Sequence, residues 1–328
     1  MSDGIFTGMK GRRLAEEIFS QMVIHDHDTG GAFTVITGSK GCGKSTLLHH
    51  LLRQVVTLDG KKLVLETVIL RARPGMTDVW GALMDPSYPW PVDGTGTPLR
   101  RGVWFHHHHG DRAVVSEEGG GPLGGLAGRF RAYGTCMELY HNLVPGAVNV
   151  VLEPSSYEPS EEFMQALVRK SLVSEKKIRR MDLDPGLWWV EFCWWLLFNK
   201  GTEGISIFID EADEIFQRSP SGIRYHYQSL FGSLARDFRK RLISFFMTLH
   251  NWSDSDWAVT SKANYFGWMR GRRPPQFSQV ARYEGLIAAL ETGTVIWEHG
   301  GYGGMTPARI PFPVKAVVEY VKMEKSEA

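Results

Sequence analysis

The chain has 328 residues, of which 43% are hydrophobic and 12% aromatic; that is enough apolar surface for a large core and excludes a disordered chain. Lys and Arg number 37 against 36 Asp and Glu, a formal net charge of +1, so a polyanion has to be held by a local patch or by a ring of subunits, not by bulk charge. Cys42, Cys136 and Cys193 are odd in number with no CxxC spacing, which points to a reduced intracellular protein without a disulfide framework.

From Met1 to His25 the chain mixes Lys10, Arg12 and Arg13 with Glu16 and Glu17 and lacks an apolar h-region, which argues against a secretory signal; residues 1–30 are expected to form a helical lead. Ala32 to Thr37 is rich in β-branched and aromatic residues and predicts a strand. Gly38-Ser39-Lys40-Gly41-Cys42-Gly43-Lys44-Ser45-Thr46 completes GxxxxGK[ST], and the leucines from Thr46 to Arg53 repeat at helical spacing. Lys62 to Leu70 predicts a second strand. Beyond Pro74 the texture changes: Pro86, Pro89, Pro91, Pro98 and the glycines of 118–125 break any long element, so a loop-rich insertion is expected over about 74–145.

Order resumes with a strand at Gly146–Leu152 and helices across Ser160–Leu172 and Leu187–Phe198. The second of these is a twelve-residue apolar run interrupted by Glu191, where a spanning helix needs roughly twenty residues. Its four tryptophans fit a core helix beside the sheet, with an interfacial helix as the rival explanation. Ile205–Ile209 is an apolar strand ending in Asp210 and Glu211. A helix at Ile223–Arg239, a strand at Leu242–His250, a helix start with several N-cap candidates at Ser253–Asp256, a strand at Tyr265–Met269, a helix at Phe277–Leu290 and a strand at Gly293–Glu298 complete the series. Alternation of this kind predicts a doubly wound, mostly parallel sheet flanked by helices, in one domain over 31–328.

The chemistry concentrates in two places. Gly38 to Thr46 forms a phosphate cradle: glycines let backbone N–H groups and a helix N-terminus face the phosphates, Lys44 adds a point charge at the β/γ oxygens, and Ser45 offers a hydroxyl to Mg²⁺. Asp210 would hold that Mg²⁺ directly or through water, and Glu211 is placed to polarise a water for attack on the γ-phosphoryl of ATP. A protein that only holds nucleotide has no need of the second acid, so Glu211 argues for turnover. Asp210 to Asp213 also spells DEAD, as in the helicases named for it. Against that family, the acids lie 166 residues past Lys44, no Ser-Ala-Thr follows, and too little chain remains for a second RecA-like domain.

Asp237-Phe238-Arg239-Lys240-Arg241 before the strand ending at His250, then Asn251-Trp252-Ser253-Asp254, Lys262-Ala263-Asn264-Tyr265-Phe266, and Leu290-Glu291-Thr292-Gly293, resemble the FtsK/HerA superfamily of DNA-pumping ATPases over about 33–70 and 148–313. The resemblance implies an α/β fold of RecA-like (ASCE P-loop) type. It also implies a homo-oligomeric ring, taken as a hexamer, that moves double-stranded DNA. In that family a polar sensor ends the strand, usually Gln or Asn; the matching position here is His250. For the trans-acting arginine, Arg239 is the expected residue, with Arg236 and Arg241 as further candidates and Arg224 behind them. The transmembrane helices of conjugative and cell-division pumps are not expected here, nor, with 37 residues before Gly38, is the barrel of HerA-like repair pumps. Its layout resembles the genome-packaging ATPases of tailless, membrane-containing viruses. That branch implies a capsid vertex protein as partner and a location in the host cytoplasm and with the virion. An ATP-driven protein-assembly or secretion factor without nucleic acid is the competing class.

For DNA, the densest basic loop is Arg270-Gly271-Arg272-Arg273-Pro274, beside Trp268 and Gln276; Lys176 to Arg180 and Arg100-Arg101 are weaker candidates. His106-His107-His108-His109 lack nearby cysteines and a fixed second ligand pair, so no structural metal is expected.

Overall fold

Short apolar runs alternate with helix-forming stretches, and in the computed structural model they become the strands and helices of a layered α/β unit. The structure describes residues 4–6, 8–23, 30–57, 66–72, 103–117, 130–171, 174–178, 185–201, 203–271, 274–299, 302–307 and 316–322. In chain order these hold β1 (Gly4–Phe6), α1 (Gly8–Val23), β2 (Phe33–Thr37), α2 (Lys44–Thr57), β3 (Thr67–Ala72), β4 (Val103–His108), β5 (Asp111–Glu117), β6 (Phe130–Tyr133), α3 (Cys136–Asn142), β7 (Val148–Leu152), α4 (Glu161–Ser171), α5 (Glu175–Ile178) and α6 (Pro185–Asn199). There follow β8 (Ile205–Ile209), α7 (Gly222–Lys240), β9 (Ile243–Leu249), α8 (Trp257–Thr260), β10 (Tyr265–Trp268), α9 (Glu284–Ala288), β11 (Thr294–His299), β12 (Tyr302–Pro307) and β13 (Ala316–Lys322).

Among the described residues, eleven strands form one sheet in the order β1-β12-β11-β10-β2-β9-β8-β3-β7-β4-β6. Every neighbour from β10 to β6 is parallel, with Val35 opposite Met247 and Ile207 opposite Phe245. β11 and β12 form an antiparallel hairpin against β10, and β1 lies parallel to β12. The central strands β2, β3, β7, β8 and β9 are buried at every position, because both faces carry helices. Phe33, Val35 and Phe245 pack under α4, α6 and α7; Ile36, Phe208 and Phe246 turn the other way, onto α1 and α2. Each such Phe contributes on the order of 1.5 to 3 kcal/mol through apolar burial.

This is the mostly parallel, helix-flanked sheet expected from the sequence. The apolar run is a buried helix: Leu187, Trp189, Phe192 and Leu196 on α6 are at most 1% exposed. Among the described residues no helix is long and apolar enough to cross a membrane.

Several elements differ from expectation. Within 74–145, Val103–His108 and Phe130–Tyr133 are members of the main sheet, and β5 pairs with β13. The stacking of Phe105 on Phe130, 5.1 Å between centroids, and burial of Val103 and Phe105 bring that stretch into the frame. Residues 73–102 and 118–129 lie outside the described set, with Arg100 and Arg101. The strand expected at Lys62–Leu70 runs instead over Thr67–Ala72, its first residues being outside the described set. Phe277–Leu290 is not one helix but a 3₁₀ turn at Gln279–Tyr283 leading into α9. The Ser278 hydroxyl accepts from the Val280 N–H and donates to Glu298, which fixes a turn where a helix would otherwise continue. After β9 comes a 3₁₀ turn at Trp252–Asp254; α8 follows, capped by Asp256 accepting from the Ala258 N–H at 2.9 Å.

The histidine cluster sits on β4. His106 is fully buried and donates from Nε2 to Asn149 Oδ1 at 3.0 Å, while His107 Nδ1 lies 2.9 Å from the Asp111 carbonyl. Among the described residues no group of His, Cys, Asp or Glu is arranged to hold a metal ion.

Candidate functional site

β2 stops at Thr37 because the chain must turn tightly under its neighbours. A Cβ on Gly38 would stand 2.7 Å from Cys42 Sγ and 2.9 Å from Met269 Cβ, so only glycine fits there. The turn then uses positive φ at Gly41 (+77°) and Gly43 (+99°) before α2 opens with Lys44, Ser45 and Thr46. Lys44 is 6% exposed and folds back over the loop, Nζ donating to the carbonyls of Gly38 at 2.8 Å and Ser39 at 3.1 Å. Neighbouring strands hold the loop as well. The Ser39 N–H and hydroxyl both donate to the Arg270 carbonyl, at 2.7 and 2.9 Å, and the Gly293 N–H donates to the Cys42 carbonyl at 3.0 Å. Burial pushes the Cys42 thiol above its ordinary range, which leaves it a packing residue and not a nucleophile. Lys40 and Gly41 face solvent.

The acid pair is two strands away, on β8, with β9 between. All five residues of β8 are buried and uncharged, so the first charged positions fall at its carboxyl end, the edge that also carries the phosphate loop. Glu211 adopts a left-handed conformation, φ 51° and ψ 51°, and opens a 3₁₀ turn at Ala212–Glu214. Such a backbone in a non-glycine residue costs on the order of 1 to 3 kcal/mol and persists only where surroundings impose it. Here Thr248, fully buried on β9, does part of that: its hydroxyl donates to Asp210 Oδ1 and accepts the Glu211 N–H at 2.9 Å.

His250, just past β9, stands between the two motifs. Its Nδ1 is 3.5 Å from Lys44 Nζ and its Nε2 is 3.4 Å from Glu211 Oε1, so one imidazole spans lysine and glutamate. Asp213 lies behind them; burial, with some help from Glu211, raises its carboxyl above the usual range, and the field of His250 partly opposes this. Ser39, Lys40, His250, Asn251 and Arg270 line a cleft of about 560 Å³ at this edge, a size suited to a small-molecule ligand.

Of the residues singled out in the sequence, Gly38 to Thr46, Asp210, Glu211 and His250 come together. Arg239 does not: it sits at the opposite, amino edge, with Nε donating to the Gly31 carbonyl at 3.1 Å and its own carbonyl accepting from the Gly31 N–H at 2.8 Å. Arg241 is on the same edge, bonded to the Lys200 carbonyl, and Arg236 is exposed on α7. Arg270 is exposed at the cleft, while Arg272 and Arg273 lie outside the described residues, as do Arg179 and Arg180. Thr248 and Arg71 also hold this edge, and no motif marks either of them. The available signal is positional: Thr248 precedes His250 by two in the strand expected at Leu242–His250, and Arg71 is a charge directly after the apolar run Val68–Leu70.

No protein-family model matches the chain, and no curated protein matches it. Among solved structures, the genome packaging NTPase B204 from Sulfolobus turreted icosahedral virus 2, in complex with ATP-gammaS, aligns at 11% identity over 87% of this chain and 100% of its own, with a TM-score of 0.43. The pCW3 conjugation coupling protein TcpA aligns at 10% identity over 84% of this chain and 60% of its own, TM-score 0.34. The cytoplasmic domain of the Thermomonospora curvata type VII secretion ATPase EccC aligns at 12% identity over 91% of this chain and 26% of its own, TM-score 0.32.

Proposed function

We propose that the chain is an ATP hydrolase that works as a ring motor, converting turnover into movement of double-stranded DNA, and that its task is to package a viral genome. The observation that carries the hydrolase reading is the chain of contacts from Lys44 through His250 to Glu211, which sets a phosphate-binding lysine and a water-activating carboxylate one imidazole apart. Lys44 and the loop N–H groups would bind the β- and γ-phosphates in place of the carbonyls Lys44 now holds. Glu211 would accept a hydrogen bond from the attacking water, ADP and phosphate leaving as products, and His250 would fix the direction of that carboxylate.

Ser45 and Asp210 are the residues to hold Mg²⁺. An all-oxygen pair of one hydroxyl and one carboxylate suits that ion, which retains several waters. When bound, Mg²⁺ neutralises charge on the phosphate oxygens.

For the DNA substrate, the supporting feature is that Arg270, which opens the basic run Arg270-Gly271-Arg272-Arg273, is tied through its carbonyl to Ser39 of the phosphate loop, so occupancy of the cradle can be transmitted to Arg270; Arg272 and Arg273, next in sequence, are the other DNA contacts of the proposal. Arg239, at the amino edge, could act only on a neighbouring subunit's nucleotide. A ring, taken as a hexamer, a capsid vertex partner, and residence in the host cytoplasm and virion complete the proposal.

The test is ATPase rate with and without duplex DNA, alongside sizing with a non-hydrolysable nucleotide. The expected result is turnover stimulated by duplex DNA and an oligomer with bound nucleotide. Stimulation by a protein and not by DNA would replace the DNA motor with a protein-assembly factor, and absence of turnover would remove the hydrolase itself.

A further inference from the structure

Asp210 and Glu211 are joined by a peptide group whose N–H is held by Thr248 from β9. Its carbonyl is approached from the other side, by Arg71 of β3. Arg71 is 5% exposed, and Nη1 lies 3.4 Å from the Asp210 carbonyl oxygen while Nη2 lies 3.5 Å from Glu214 Oε2. The guanidinium therefore touches both ends of the 210–214 turn. Its third position, Nε, donates to Glu153 just beyond β7, and that carboxylate, 4% exposed, also accepts the Trp189 indole N–H of α6 at 2.7 Å. A planar fork of fixed donors can tie three such partners at once, which a lysine cannot.

We propose that Arg71 is a positioning residue for hydrolysis: braced by Glu153, it holds the acid turn in its left-handed form and so aims the Glu211 carboxylate. This rests on the hydrolase reading above. Arg71 touches neither the phosphate loop nor His250 in any described contact, so its loss should leave nucleotide binding alone while misdirecting the group that acts on water. Displacing a reacting group by about 1 Å costs on the order of a hundred-fold in rate.

Removing Arg71 alone would leave Glu153 buried and uncompensated, a change that is strongly destabilising by itself. The decisive variant is therefore Arg71→Met with Glu153→Gln, which removes both charges and keeps an acceptor for Trp189. On the full chain, kcat at saturating ATP is expected to fall on the order of ten- to hundred-fold, with KM and the Kd for a non-hydrolysable ATP analogue within about two-fold of the parent. Arg71→Lys is expected to recover little of that loss. A purely structural role would lower the melting temperature and leave kcat per folded molecule within about two-fold of the parent, and that result overturns the proposal. Should the double variant not fold, Glu214→Ala decides. The Glu214 side chain is 45% exposed, so the fold tolerates the change; kcat is expected to drop roughly three- to ten-fold at constant KM, and an unchanged kcat overturns the proposal. A parent chain that does not turn over ATP is seen before any variant is made, and it removes the hydrolase reading itself.

Discussion

The two edges of the sheet treat their charged groups differently. At the amino edge three of them are closed off by nearby backbone or hydroxyl: Lys200 donates to the carbonyls of Gly201 and Glu203, Arg239 to Gly31, and Glu66 accepts from Ser206. At the carboxyl edge His250, lining a cleft, stands between Lys44 and Glu211 and meets both side chain to side chain, and the backbone at Glu211 is left-handed. Satisfied charges stabilise; charges that face each other across an accessible space are available to a ligand.

The largest effect expected from this contrast is on turnover. Glu211→Gln keeps the shape and the hydrogen bonding of the turn but cannot activate water, so kcat should fall at least about a hundred-fold while nucleotide still binds, checked by steady-state kinetics beside equilibrium binding. A parental rate would place the activating group elsewhere on that edge.

The second effect separates stability from the site by pH. His106 is buried neutral within the sheet, its Nδ1 without a hydrogen-bond partner, and burial lowers its pKa from 6.5 to about 4. The unfolded chain thus binds more protons between those values, and stability fully present above pH 6.5 is lost as pH falls towards 4, by about 3 kcal/mol in all. Denaturant titrations from pH 7.5 down to 4.5 should show this slope, and His106→Gln should flatten it.

At the amino edge, Lys200→Met orphans two carbonyls and should cost on the order of 1 to 3 kcal/mol in denaturant unfolding, with ATP turnover per folded molecule unchanged. The smallest effect sharpens the contrast most. Glu211→Gly relieves the left-handed strain and should raise stability by on the order of 0.5 to 1 kcal/mol while abolishing turnover.

What could be read from the sequence follows from how local each signal is. The phosphate loop spans nine consecutive residues between a strand and a helix, and the strands at Phe33, Ile205 and Ile243 are buried on both faces, so apolar runs announce them without knowledge of their partners. Val103–His108 is a different case. Three histidines end its run, and it becomes a strand because β7 and β6 pair with it on either side. Arg71 and Glu153 are 82 positions apart, and nothing in either neighbourhood names the other. The antiparallel hairpin β11–β12 likewise breaks the alternation because pairing, not periodicity, decides its direction.

The strand that feeds the phosphate loop hydrogen-bonds to β9 on one side and β10 on the other, both formed from residues more than two hundred positions later. On the ribosome, therefore, the glycine loop emerges long before the strands that support it. Nucleotide affinity should be missing from nascent chains halted before Trp268 and acquired in one step once that segment has cleared the exit tunnel.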